Sequence, residues 1–127
     1  MDRQEQIDFI LDHYENPRHY GPMAEPTVVQ KGGNPGCGDI VTFYLRLDGE
    51  DRIADISFEG EGCTISQAGA SLVAERFHGK PVAVLKDTPV DEILDELGRE
   101  LAATRLKCAA LGINTAKEAV RQARPVR

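Results

Sequence analysis

The chain has 127 residues, 41% of them hydrophobic and 28% charged, which suits one folded domain with a core of its own. Its formal net charge of -6 excludes the basic footprint of a nucleic-acid binder, and no apolar run is long enough for a membrane span. The opening Met1-Asp2-Arg3-Gln4-Glu5-Gln6 has no apolar centre of the kind a signal peptide carries, so the expected compartment is the cytoplasm.

Residues 3–15 are expected to be helical, because Ile7, Ile10, Leu11 and Tyr14 recur at helical spacing before Asn16-Pro17 ends the run. Residues 16–36 are rich in Pro, Gly and polar groups and read as a long loop, with room for a short strand around Thr27-Val28-Val29. Residues 40–47 alternate as a strand with Val41, Phe43, Leu45 and Leu47 on the core face. Asp48-Gly49-Glu50-Asp51 is a turn, and residues 52–58 return with Ala54, Ile56 and Phe58 inward, closing a hairpin. From Thr64 to about Phe77 the period becomes helical through Ile65, Ala68, Leu72 and Val73, with small residues 68–71 permitting close packing. His78-Gly79-Lys80-Pro81 stops that helix. Residues 81–86 read as a short helix or a loop and residues 89–97 as a helix begun by Pro89. A last helix runs from about Cys108 to Gln122 on a stripe of Ala109, Ile113, Ala116 and Val120, and the tail Arg124-Pro125-Val126-Arg127 is expected to be loose. Strands first and helices afterwards predict an α+β domain spanning 1–127, with a small antiparallel sheet covered by helices mainly on one face.

The three cysteines stand in settings that suit a thiolate. Cys37 lies between glycines in Asn34-Pro35-Gly36-Cys37-Gly38-Asp39, and extended backbone would turn Cys37 and Asp39 to one side. Cys63 follows Gly60-Glu61-Gly62 at the start of a helix, where free amides and the helix dipole favour a negative sulfur; the alternative is a small buried residue with Thr64 as the cap. Cys108 follows the cations Arg105 and Lys107, which also favour a thiolate, although a cysteine entering an apolar helix is often core. Intervals of 25 and 44 residues, with no Cys-x-x-Cys pair, argue against a zinc knuckle or ribbon, and an odd number in a reducing compartment argues against a closed disulfide framework. The simplest account is one site of Cys37, Asp39, Cys63 and Cys108. Zn²⁺ accepts such a set, and iron–sulfur clusters are held mainly by thiolates. A carboxylate is a harder and weaker partner for cluster iron, so Asp39 suits a cluster that must leave. His13, His19 and His78 read as structural or surface residues, with His19-Tyr20 as a candidate piece of a partner surface.

The ordered set His13-Tyr14-Glu15-Asn16-Pro17-Arg18, Asn34-Pro35-Gly36-Cys37-Gly38-Asp39, the run from Asp55 to Ser66, Gly79-Lys80 and Lys107-Cys108-Ala109 resembles the IscU/SufU family of iron–sulfur cluster assembly scaffolds, also found as the N-terminal domain of NifU. The resemblance implies a three-stranded antiparallel sheet with helices on one face and the ligands Cys37, Asp39, Cys63 and Cys108. It implies sulfur received as a persulfide from a pyridoxal-phosphate cysteine desulfurase, a transient [2Fe–2S] cluster, and transfer to apo iron–sulfur acceptor proteins, with Zn²⁺ able to take the same ligands. It makes a scaffold or carrier the first expectation, with Cys108 as the persulfide acceptor. A zinc-dependent sulfurtransferase accepting persulfide at Cys37 is the alternative, and a structural zinc-binding interaction domain the lesser one. IscU-type members usually carry His before the third cysteine; Lys107 stands there, as in the SufU type, yet the segment that SufU-type members usually insert between the second and third cysteines is missing. Lys107 is either a cation that pairs with Asp39 and gates it or a solvated lysine. The Leu-Pro-Pro-Val-Lys segment that IscU shows to its Hsp70-type chaperone is also missing, which argues against chaperone-assisted release.

Overall fold

The structure, a computed structural model, describes residues 2–34, 38–101 and 103–123. Helix α1 (Arg3–Glu15) opens on a capping box, in which the Asp2 carboxylate accepts the Glu5 amide at 2.8 Å and the Glu5 carboxylate accepts the Asp2 amide at 2.9 Å. Three strands follow, β1 (Val28–Asn34), β2 (Asp39–Leu47) and β3 (Ile53–Glu61), antiparallel in the order β1-β2-β3. Four more helices complete the chain: α2 (Thr64–Phe77), α3 (Val82–Asp87), α4 (Val90–Leu97) and α5 (Leu106–Ala123), the last entered through a 3-10 turn at Ala103–Arg105. The expected tail, Arg124–Arg127, lies outside the described residues.

The α+β expectation holds, and its departures have local causes. The short strand expected near Thr27 runs on to Asn34, because β1 pairs along its whole length with β2, from Val28↔Leu45 to Asn34↔Asp39. Val41, Phe43 and Leu45 point inward and are fully buried, as the alternation requires. A register shift between Arg46 and Leu47 then breaks the period, so Leu47 is only partly buried and Ile53, rather than Ala54, enters the core. In α1 the buried face is Ile10 and His13, while Leu11 and Tyr14 are 41% and 44% exposed, so the stripe read from apolar spacing is displaced toward the histidine. Residues 82–87 settle as a helix.

Helices α2 and α5 cover the inner face of the sheet. Their contact is made of small residues: a Cβ on Gly112 would lie 2.9 Å from Ala70 Cα and 3.0 Å from its nitrogen. This close seam holds the start of α5 near the start of α2. Helix α1 is fixed to α2 by His13, whose side chain is 1% exposed. Its Nδ1 lies 2.7 Å from Ser71 Oγ, and that oxygen also accepts the Arg18 amide at 2.9 Å. The matching segment from His13 to Arg18 therefore acts as a latch between elements 58 residues apart.

Two outcomes follow. Gly112→Ala gains up to ~1 kcal/mol of helix propensity but forces α2 and α5 apart, at a cost of roughly 1–3 kcal/mol, so urea denaturation should show a net loss of stability. Burial, and then the Arg18 charge, hold the His13 pKa below its ordinary 6.5, against the pull of Glu75 and Asp12. Below that value the unfolded chain takes up a proton that the folded one refuses, so this contribution is complete above about pH 6.5 and is lost as pH falls toward the folded pKa. Urea midpoints measured across that window should decline with acidity, and His13→Asn should flatten the slope.

Candidate metal centre

Antiparallel pairing brings the beginning of β2 beside the end of β3, since Ile40 faces Glu61 and Val41 faces Gly60. Asp39, the first residue of β2, therefore lies next to Gly62 and Cys63, where β3 gives way to α2. The Asp39 carboxylate is 2% exposed. One of its oxygens accepts the Cys63 amide at 3.0 Å, and the other lies 3.6 Å from the Cys63 sulfur. Cys63 itself takes the N-cap position of α2, with extended backbone at φ -74° and ψ 165°, and its side chain caps no amide. The alternative that made Thr64 the cap is thus overturned. Cys108 reaches the same place from the first turn of α5 and is buried. One donor atom from each of Asp39, Cys63 and Cys108 lies within 4.8 Å of the other two.

Two helix N-termini, those of α2 and α5, thus converge on the sulfurs. The positive ends of their dipoles face that spot. A side-chain cation adds to this. The Arg105 guanidinium is held above its ordinary pKa, chiefly by the charge of Cys63 and by hydrogen bonds to Cys63 and then to Cys108. Lys107 is exposed and lines a groove beside Gly32, Gly33 and Leu111. The cation that meets the sulfurs is therefore Arg105, the last residue of the 3-10 turn and the more distant of the two basic neighbours in sequence.

The sequence reading missed Gly62. Its φ is +137°, and a Cβ there would come within 2.7 Å of the Asp39 carboxyl carbon. Only glycine lets the chain turn so tightly that Cys63 bonds Asp39 through its amide. The Gly60-Glu61-Gly62 run signalled a turn but not this approach. Of the four expected donors, the structure brings together Asp39, Cys63 and Cys108, while Cys37 lies outside the described residues. His19 and His78 stack on each other with ring centroids 4.7 Å apart, and His78 lies 3.9 Å from Asp55, away from the three donors.

The donor chemistry fits a soft or borderline metal. Cysteine sulfurs from two helix starts and one carboxylate make a set that Zn²⁺ or cluster iron accepts.

A three-stranded sheet with helices over one face and a cysteine–carboxylate centre at its end defines a small α+β metal-site domain. The chain matches the NifU-like N terminal domain family over residues 5–125, and it belongs to that family. It is 34% identical over 113 residues to the iron–sulfur cluster assembly scaffold protein IscU of Aquifex aeolicus, an alignment covering 88% of this chain and 71% of that protein. It is 45% identical over 73 residues to the zinc-dependent sulfurtransferase SufU of Bacillus subtilis, covering 58% of this chain and 48% of that protein. Among solved structures it is similar to a putative iron–sulfur cluster assembly scaffold protein for the SUF system from Fervidobacterium islandicum, with a TM-score of 0.77, 29% identity and coverage of 89% of this chain and 94% of that one. The NifU-like N-terminal protein of Brucella abortus shares the fold, with a TM-score of 0.79 at 23% identity over 96% of this chain and 99% of that one.

Gly62→Ala is expected to push the Asp39 carboxylate off the Cys63 amide. Zinc affinity measured by competition with a chelator should fall on the order of 10–100-fold, the usual cost of disturbing the groups that orient metal ligands, while far-UV circular dichroism keeps its native shape.

Proposed function

We propose that residues 1–127 form one scaffold domain on which an iron–sulfur cluster is built and from which it is handed on. The cargo would be a [2Fe–2S] cluster held by Cys37, Asp39, Cys63 and Cys108. One observation carries the reading: a buried carboxylate and two cysteines, from three separate elements, lie within 4.8 Å of one another under a cation and two helix N-termini. A structural metal site would gain from a fourth thiolate. A carboxylate in its place weakens the hold on iron and lets the cargo leave. The IscU relatives support the same reading through their names.

In this proposal the sulfur donor is a pyridoxal-phosphate cysteine desulfurase and the recipients are apo iron–sulfur proteins. Sulfur passes as the outer atom of a persulfide. The receiving thiolate attacks that atom, the S–S bond to the donor breaks, and the donor cysteine leaves as a thiolate. Cys108 is the proposed acceptor. It is 4% exposed, so the incoming persulfide reaches it only when neighbouring groups give way. The positive ends of both helix dipoles face the receiving sulfur, and Arg105 hydrogen-bonds Cys63 and Cys108, where the outer sulfur atom arrives. Work in the cytoplasm is part of the proposal; among the described residues no helix is long and apolar enough to cross a membrane.

A second reading has its own support. Lys107 before Cys108 and the 45% identity to SufU favour a zinc-dependent sulfurtransferase, with zinc on the same four residues and Cys37 as the thiol that leaves it to take sulfur. Bound zinc would order the donors and lower the pKa of the thiols. Anaerobic incubation with iron, cysteine and a desulfurase separates the two. A visible chromophore that moves to an apo-ferredoxin supports the scaffold. Strong stimulation of desulfurase turnover by the zinc-loaded protein, with no chromophore, selects the sulfurtransferase.

Asp39→Ala should retard loss of the chromophore to an apo-acceptor by roughly tenfold, because the weak ligand is the exit route. An unchanged transfer rate would remove Asp39 from that role.

A further inference from the structure

The two edges of the sheet are treated differently. On the β3 side, Gly21 donates to the Phe58 carbonyl at 2.8 Å, Phe58 donates to the His19 carbonyl at 3.1 Å, and Arg52 bridges Pro81. That edge is covered by the chain itself. On the other side β1 pairs with no strand but β2 among the described residues, although the Gln30 side chain donates to the Lys31 carbonyl at 3.2 Å. An open strand edge offers a row of backbone donors and acceptors, which natural proteins usually protect.

Beside this edge runs a groove of about 520 Å³ between β1, α4 and α5. Leu94, Leu106, Ala110 and Leu111 give it an apolar floor, Lys31 and Lys107 line it, both exposed, and the Glu118 carboxylate that also lines it is paired with Arg121. Two lysines facing one groove are notable on a chain of net charge -6. The groove also leads to the metal centre. Leu106 and Lys107 lie in the turn of α5 that carries Cys108, and β1 ends opposite Asp39 in the pairing register.

Resting on the scaffold reading above, we propose that this edge and groove dock the protein that receives the cluster, through an extended segment in which acidic and apolar residues alternate. The segment adds a fourth strand to β1. Its backbone pairs with the open edge, its apolar side chains enter the floor, and its carboxylates face Lys31 and Lys107. Strand pairing through a few backbone bonds holds a partner beside Cys108 and then releases it, as a hand-over requires. The occupant is the acceptor rather than the sulfur donor, because the groove runs beside the turn that carries Cys108 while none of Asp39, Cys63 and Cys108 lines it, so a partner seated there leaves the donors open.

The test uses the full chain loaded with its chromophore, and an apo-[2Fe–2S] ferredoxin as the probe acceptor. Amide hydrogen exchange in the complex should slow within Val28–Asn34 and remain unchanged in β3. Lys31→Glu should load like the wild type but hand over about tenfold more slowly at low salt, and Lys31→Arg should restore the rate. Hand-over at the wild-type rate by Lys31→Glu, or transfer with no protection of β1, would overturn the docking proposal and leave the scaffold reading intact. Protection of β1 by a cysteine desulfurase but not by the ferredoxin would also overturn it. A wild-type chain that never forms a chromophore sinks both.

Discussion

The bond from the Cys63 amide to the Asp39 carboxylate is the constraint on which the centre depends. A carboxylate that is 2% exposed is costly to bury unless its oxygens are satisfied, and a backbone amide at the mouth of α2 supplies one partner. The same bond places the first residue of β2 against the junction of β3 and α2. Sheet register, the tight turn at Gly62 and the start of α2 are thereby made mutually dependent. Moving any one of them by a residue would turn Asp39 away from the sulfur.

The second support is the seam of small residues between α2 and α5. Gly69 and Ala70 meet Ala109 and Gly112 closely enough that no larger side chain fits without separating the helices. Because α5 lies so near α2, the first turn of α5 comes over the sheet end, and Cys108 arrives where Asp39 and Cys63 already are. The site is thus an outcome of core packing as much as of its own donors. On the opposite flank, Ser71 fixes α1 through both His13 and the Arg18 amide, so the N-terminal helix braces α2 from behind.

Much of this was legible in the sequence because the relevant signals were local. The alternation through Val41, Phe43 and Leu45 marked β2, and the helical period from Thr64 marked α2 almost to the residue. The IscU/SufU-like segments pointed to Asp39, Cys63 and Cys108 before any geometry was at hand. What was hidden was long-range. The shift between Arg46 and Leu47 exchanged Ala54 for Ile53 in the core, which no strict alternation reveals. The length of β1 came from its partner strand, not from its own Gly-rich composition. In α1, burial followed a histidine whose hydrogen-bond partner stands far along the chain, while the apolar Leu11 and Tyr14 stayed outside. Arg105 and Lys107 could be ranked only once the hydrogen bonds of Arg105 to Cys63 and Cys108 showed which of them meets the sulfurs.

That guanidinium has a consequence for the life of the centre. The Asp39 carboxylate and the sulfurs of Cys63 and Cys108 crowd at one spot, and a carboxylate so deeply buried is costly without compensating partners. Arg105 offers a permanent countercharge that neither oxidises nor departs. The donors can thus wait in formation, and the geometry need not be rebuilt from a collapsed or scattered state at the start of every cycle.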